Sequence, residues 1–354
     1  MNQNIEAILE KPFNGQRLSA SDALALFQSD DLLAIGDAAN RFRHLKHPEK
    51  VVTYIIDRNI NYTNVCVTDC KFCAFYRKEG DSDAYVITKE AMAQKIKETQ
   101  ALGGNQILLQ GGHNIRLKLD WYVDMIKYIK SFGIHVHGFS APEIHFFSEL
   151  NKMPISEVIK ALRAAGWDSL PGGGAEILSE NVRNQIARKK ATTSEWLEVH
   201  REAHQQGLRS TATMMFGHLE TLADRVEHFE RIRNLQDETG GFTAFIDWTF
   251  QSQNTEMDKV PMTTSYDYLK TTAIARLFID NIDNIQSSWV TQGPKIGQIS
   301  LQFGCNDMGS TMIEENVVRN AGANFRMNAQ EIETLVAEMG YTAKKRDFFY
   351  NILN

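Results

Sequence analysis

The chain is sparing in cysteine, with 4 in 354 residues, and in proline, with 7. It has no apolar run near the roughly 18 residues that a membrane span needs, which argues against insertion in a bilayer. The opening stretch MNQNIEAILEKPFNGQRLSASDAL has neither a basic start nor an apolar core, so no secretory leader is expected and a cytoplasmic address follows. A formal net charge of −6, without any clustered Lys/Arg stripe, lacks the electrostatic footprint of a nucleic-acid binder. Low-complexity tracts, linkers and internal repeats are also missing, which removes solenoids and a clearly separate second domain. Four cysteines do not make a disulfide framework here, because Cys66, Cys70 and Cys73 crowd into one short loop while Cys305 lies far away. Such crowding fits a reducing compartment and a metal or cluster site better than oxidative stapling.

What is present is a regular alternation. Hydrophobic residues make up 43% of the chain, enough to bury a large core. Short β-branched or apolar runs alternate with longer amphipathic stretches, the pattern of βα units around a parallel sheet. Eight strands are predicted, at 51–60, 105–110, 134–140, 168–170, 209–216, 242–250, 285–290 and 303–307, the fourth being short. Between them run helical faces: Met92 with Ile96; Trp121, Met125 and Ile129; Leu222, Val226 and Phe229. Eight alternations predict an α/β fold, a closed (β/α)8 TIM-type barrel over 49–354 with a C-terminal helical cover. An N-terminal helical extension over 1–48 starts a helix at SASDAL and stops at Pro48. Several strands run straight into Gly, Pro or polar clusters (QGGHN, SAPE, PGGGAE, FGHLE, FQSQN, TQGP, NDMGS). In such a barrel the C-terminal rim is where loops assemble the active site.

The loop Cys66-Val-Thr-Asp-Cys70-Lys-Phe-Cys73 can wrap three corners of an iron-sulfur cube. A [4Fe-4S] cluster ordinarily takes four thiolates, and no fourth cysteine or histidine is near in sequence, so one iron would stay open. An open coordination position is what ligation of a substrate or cofactor requires. Two plainer readings compete: a zinc site completed by Cys305 or a distant histidine, and three incidental buried cysteines.

This CxxxCxxC spacing, with an aromatic residue before the third cysteine and a predicted strand ahead of the first, resembles the signature of the radical S-adenosylmethionine (SAM) superfamily. NYTNVCVTDCKFCAFYR (61–77) is similar to the cluster loop of the subgroup holding the menaquinone futalosine-pathway enzymes and the deazaflavin-cofactor synthases. ILLQGGHN (107–114), HVHGFSAPEI (135–144), DSLPGGGAEIL (168–178), RSTATMMFGHLET (209–221), GGFTAFIDWTFQSQNT (240–255), SSWVTQG (287–293) and NDMGSTMIEENVV (306–318) extend the resemblance, over nearly the whole chain, to the futalosine cyclase family. QGG and WTFQ favour the cyclases over the sibling aminofutalosine synthases. Asp247 is a departure, standing where proline is expected in FIPWTFQ.

The resemblance implies a cytoplasmic enzyme that carries a [4Fe-4S] cluster on Cys66, Cys70 and Cys73 and binds SAM through the open iron. An external one-electron donor such as a flavodoxin or ferredoxin would drive cleavage of SAM to methionine and a 5′-deoxyadenosyl radical. That radical would take a hydrogen from the ribose of dehypoxanthine futalosine, and the resulting carbon radical would add to the benzoate ring. The spirocyclic radical must then lose an electron and a proton, so a base is useful; the rim offers Asp247, Glu220, His218 and Asp307. For SAM, the resemblance points to Phe72 by the adenine, to Gln110, Gly111 and Gly112 at the methionine ammonium, and to Ser140 and Glu143 at the ribose or sulfonium end. Plainer roles stand beside each: a shield for the iron, a strand-to-helix turn, a helix cap.

A substrate with a carboxylate and sugar hydroxyls calls for a cation or clustered donors facing an aromatic wall. Arg209, Thr211, Thr213, Gln251, Asn254, Trp248, Trp289 and Gln292 are of the right types. Alternation puts Arg209, Thr211 and Thr213 on one strand face and Ser210, Ala212 and Met214 on the other, and either face can point inward. The PGGGAEIL loop is expected to close over SAM or substrate. His135 and His137 share a strand face, and His200 and His204 have a spacing that can bind zinc, but no HExxH glutamate accompanies them, so both pairs are read as ordinary histidines. Cys305 is read as a small buried hydrophobe. A sibling radical enzyme remains the near alternative, and a non-enzymatic iron-sulfur or zinc protein the remote one.

Overall fold

A computed structural model describes residues 5–353. Among them, ten strands form one sheet: β1 (Val51–Ile55), β2 (Asp57–Asn61), β3 (Gln106–Gln110), β4 (His135–Gly138), β5 (Ser169–Leu170), β6 (Arg209–Phe216), β7 (Phe242–Thr249), β8 (Asn284–Gln286), β9 (Asp307–Ser310) and β10 (Thr342–Lys345). All neighbouring pairs are parallel, in the order β10-β1-β9-β8-β7-β6-β5-β4-β3-β2. The first predicted strand is broken at Ile56. Its lower half, β1, pairs with β9 and β10, and its upper half, β2, pairs with β3. The chain after β9 then runs on beside β2, with Thr311 N–H to Ile55 O at 3.0 Å and Asn59 N–H to Glu314 O at 3.2 Å. One bent strand therefore serves both flanks, and the sheet wraps into the expected barrel.

The helices bury the faces that the periodicity marks. Met92, Ile96, Met125, Ile129, Val226 and Phe229 are buried, while Trp121 and Leu222 are half-buried. Ser19 caps helix Ala20–Gln28 through a capping box with Asp22. The next helix, Leu32–Lys46, ends just before Pro48, whose ring disfavours helical geometry at the preceding residue. These N-terminal helices pack on helices Leu222–Thr239 and Ser265–Phe278 of the outer ring.

Three features differ from the sequence reading. The stretch predicted as a strand at 303–307 is instead a turn through Gly304, whose φ of 101° only glycine adopts readily, and the strand follows it. After β8 the chain turns into the short helix Trp289–Gln292 rather than staying extended. The C-terminal cover is not helical throughout: helix Ala329–Glu338 leads into β10, whose TAKK sequence is polar and lacks a strand signature.

Inside and outside are set by side-chain alternation and by one bulge. On β6, Thr211 and Thr213 face the barrel interior, and Ala212 and Met214 are buried against the helices. On β7, Phe242 and Thr243 together oppose Ser210, since Phe242 pairs with Ser210 and Ala244 already with Thr211. The extra residue shifts the alternation, so that Ile246 and Trp248 point inward and Asp247 outward.

Below the barrel, the C-terminal tail turns under the strands. Arg346 donates to both oxygens of Asp307, Nε at 2.5 Å and Nη2 at 2.9 Å, and the Thr53 hydroxyl donates to the same carboxylate. Both charges are buried. Breaking such a pair from one side leaves a buried unpaired charge, so Arg346→Met should cost about 3–5 kcal/mol. Chemical denaturation of the variant against the parent measures it; a loss below about 1 kcal/mol contradicts this role.

Candidate active site

The barrel encloses a cavity of about 290 Å³, walled by strands β2 and β3 on one side and by β6, β7 and Trp289 on the other, with Phe348 and Tyr350 of the tail also in its wall. The cysteine loop leaves β2 at the C-terminal rim. It is pinned along its length: Cys66 N–H to Arg77 O at 3.0 Å, Val67 N–H to His113 O at 3.1 Å, Lys71 N–H to Ile186 O at 2.9 Å. Arg77 clasps the segment after it, donating to the carbonyls of Ala74, Phe75 and Tyr76. Cys70 is buried, and Cys66 and Cys73 are half-buried; all three thiols are free.

The donor set fits an iron-sulfur cube. Burial pushes the Cys70 thiol up to about 12 and raises Cys73 as well, so isolated thiolates here are costly and a cationic partner is needed. Polar groups already face the sulfurs: the Thr68 hydroxyl lies 2.9 Å from Cys66 Sγ, and the Phe75 and Tyr76 N–H groups donate to Cys73. Among the described residues, no three His, Cys, Asp or Glu side chains converge as one zinc ion requires. A cube asks for something else, each thiolate on a different iron. Cys305 cannot join this loop as a fourth ligand, since it is buried beside Ser300 and Arg276, with its thiol pushed up to about 12.

Two SAM candidates, Gln110 and Ser140, flank Gly173 of the PGGGAEIL loop. A Cβ on Gly173 would meet Gln110 Nε2 at 2.6 Å and Ser140 Cβ at 3.8 Å, and Gln110 and Gly173 both line the cavity. Gly111 and Gly112 serve close packing: a Cβ on Gly112 would come within 2.3 Å of Val65 O, and one on Gly111 within 2.6 Å of the Tyr62 ring. Phe72 is half-buried with Lys190 Nζ 5.3 Å over its ring. Lys190 forms a buried ion pair with Glu176 at 2.5 Å, and its charge lies near Cys70. Nothing in the sequence singled out that lysine.

Glu143 is corrected from ligand contact to cap. Its two oxygens accept from Ser140 N–H and hydroxyl (2.7 and 2.6 Å), from the Tyr62 hydroxyl (2.7 Å) and from Gly111 N–H (3.1 Å). Four donors fill the carboxylate, which stands outside the cavity wall.

None of the four base candidates lines the cavity. Asp247, turned outward by the bulge, accepts from Thr272 Oγ1 of the outer helix at 2.8 Å. Glu220 is spent on Gly217 N–H, His218 N–H and Arg225. His218 is buried between Met215 O and Leu219 N–H. Asp307 holds Arg346.

The substrate candidates divide likewise. Thr211 and Thr213 line the cavity and bond Gly172, accepting from its N–H at 2.9 Å and donating to its carbonyl at 2.7 Å. Trp248 and Trp289 form wall, the latter fixed by Nε1 to Met308 O at 3.0 Å. Arg209 is corrected: at the N-terminal start of β6 it is exposed and donates to Gly240 O, a strand's length from the rim. Asn254 is also corrected, lying on an outer turn at φ 60° with its amide on Asn320 O. Gln251 folds back on Thr249, and Gln292 donates to the Thr249 hydroxyl. Each histidine pair is bridged by one serine hydroxyl, Ser169 for His135 and His137 and Ser210 for His200 and His204, and His137 also lines the cavity.

Residues 60–232 match the radical SAM superfamily, and residues 239–354 the CofH/MqnC C-terminal region. The chain belongs to the radical SAM superfamily, in the branch that includes the cyclic dehypoxanthine futalosine synthases. It is 47% identical to the cyclic dehypoxanthine futalosine synthase of Halalkalibacterium halodurans, over 99% of this chain and 95% of that one, and 41% identical to that of Streptomyces coelicolor, over 99% and 89%. Identity to the aminodeoxyfutalosine synthase of Thermus thermophilus is 39%, over 97% and 94%. Among solved structures, the [FeFe]-hydrogenase maturase HydG shares the fold at TM-score 0.77 and 16% identity, over 97% of this chain and 76% of that one. Methylornithine synthase does so at 0.74 and 17%, over 95% and 97%.

Burial pushes the Asp247 carboxyl from an ordinary 3.8 up to about 7. The unfolded chain therefore gives up this proton at lower pH than the folded one, and stability falls as pH rises between those values. Asp247→Asn should raise the melting temperature at pH 8 and change it little at pH 4; an equal shift at both would contradict the assignment.

Proposed function

We propose that the protein is a cytoplasmic radical SAM cyclase that converts dehypoxanthine futalosine to cyclic dehypoxanthine futalosine in menaquinone biosynthesis. The observation that carries this reading is a loop of three pinned thiols at the mouth of a barrel cavity, with no fourth ligand on the loop. Identity of 47% along 99% of the chain to a protein of that name supports the cyclase over its siblings. When bound, the cluster and SAM supply one-electron cleavage of the sulfonium C–S bond, giving methionine and a 5′-deoxyadenosyl radical that abstracts hydrogen.

The chain's own residues bind, orient and exclude. Cys66, Cys70 and Cys73 hold the cluster, with Thr68 and the Phe75 and Tyr76 amides as donors to their sulfurs. Gln110 and Gly173 of the cavity wall, with Ser140 beside them, would meet SAM. Thr211, Thr213, Trp248 and Trp289 receive the substrate, and the tail keeps water from entering below. Electrons come from an external donor such as a flavodoxin or ferredoxin. Val67, beside the first cysteine, is 43% exposed, so a carrier can approach the cluster closely. Among the described residues no helix is long and apolar enough to cross a membrane.

Anaerobic reconstitution followed by product analysis tests the reading. The cyclase should release free methionine, 5′-deoxyadenosine and the cyclic product, and retention of the adenosyl carbons in the product would assign it to a sibling. Its electron paramagnetic resonance signal should also change when SAM is added. Cys70→Ala should lose all cluster-dependent SAM cleavage while keeping the circular dichroism spectrum of the parent; retained cleavage refutes the ligand assignment.

A further inference from the structure

Two amides in the cavity wall are each backed by a carboxylate. Gln106 Nε2 donates to Asp57 Oδ2 at 2.9 Å, and Asn59 Nδ2 approaches Glu315 Oε1 at 3.5 Å. The carboxylates accept elsewhere too: Asp57 from the Ser310 hydroxyl, Glu315 from the N–H groups of Val317, Val318 and Arg319. With the NH2 of each amide turned to its carboxyl, the amide oxygen faces the opposite direction. Gln106 Oε1 and Asn59 Oδ1 accordingly have no partner among the described residues, although Gln106 is 4% and Asn59 3% exposed. All four side chains line the one cavity. Buried acceptors without donors are costly, and a pair of them in one wall marks a place built for a ligand's donors.

We propose that the Gln106–Asp57 and Asn59–Glu315 pairs form the subsite that holds the sugar hydroxyls of the substrate. This rests on the cyclase reading above, since it is the ribose of that substrate that carries the reacting hydrogen. Hydroxyls satisfy such a wall because each can donate to an amide oxygen. The substrate's benzoate has no hydrogen to donate to this wall, as an anion would face two amide oxygens. The aromatic ring is left to the opposite side, where Trp248 lies on β7, well round the barrel from β2 and β3. Holding the sugar on one wall and the ring on the other fixes which ribose carbon meets the radical and which ring face it attacks.

The test is a cycle of ligand and residue. Binding to the reconstituted holoenzyme with SAM and no reductant is measured by calorimetry for dehypoxanthine futalosine and for an analogue lacking the sugar hydroxyls. Gln106→Met and Asn59→Leu should each weaken the full substrate by about ten- to a hundred-fold while shifting the analogue by less than about two-fold. Equal losses for both ligands, or no loss for either in an enzyme that still cyclises, would overturn the subsite. Should Gln106→Met fail to fold, Asn59→Ser carries the same comparison at the other pair. A parent enzyme that binds neither ligand and makes no cyclic product would instead overturn the cyclase reading and the subsite with it.

Discussion

The ion pair between Arg346 and Asp307 is the joint on which the lower barrel rests. It is the contact by which the last residues of the chain grip β9, and through the Thr53 hydroxyl it reaches β1 as well. Two charges removed from water repay their desolvation only when geometry is good and every lone pair finds a donor. Asp307 meets that condition with two guanidinium bonds, a hydroxyl and the Gly309 N–H. The tail it anchors brings Phe348 and Tyr350 under the strands, where they close part of the cavity wall. Without that closure the polar groups on β2 and β3 would simply face water.

A second constraint acts across the barrel. The bulge at Thr243 inserts one residue into β7 and so reverses which side chains beyond it face the cavity. Trp248 gains the interior, and Asp247 is turned into the helical layer against Thr272. The price is one buried carboxyl with an oxygen left without a partner. A strand read from sequence as regular alternation would assign these two residues the other way round.

This marks where the sequence was legible and where it was not. The cysteine loop was readable because its chemistry is local, three ligands within a few residues, and the barrel because hydrophobic alternation repeats along the chain. The Thr211 and Thr213 face followed from strand period, its direction from packing alone. Arg209 shares their face but sits two layers down at the strand's start, so period without depth misplaced it. Glu143 follows β4 as a ligand would, yet Ser140 three residues earlier makes it a capping box, and the cap takes the carboxylate. Asn59 and Gln106 gave no signal: a polar residue inside a strand becomes informative only when its neighbours across the sheet are known. β10 was invisible because an edge strand of Thr, Ala and two lysines carries no apolar pattern.

The packing of Gly112 against Val65 and Cys66 has a mechanical consequence. With no room for even a methyl group between the exit of β3 and the start of the cysteine loop, the two segments move as one body. Gln110, two residues before that contact, is carried with them. The spacing from the thiol cradle to the top of the chamber is thus a rigid offset, insensitive to whatever occupies the space below. A change in the lower walls therefore leaves the packing between the cysteine loop and the exit of β3 as it is.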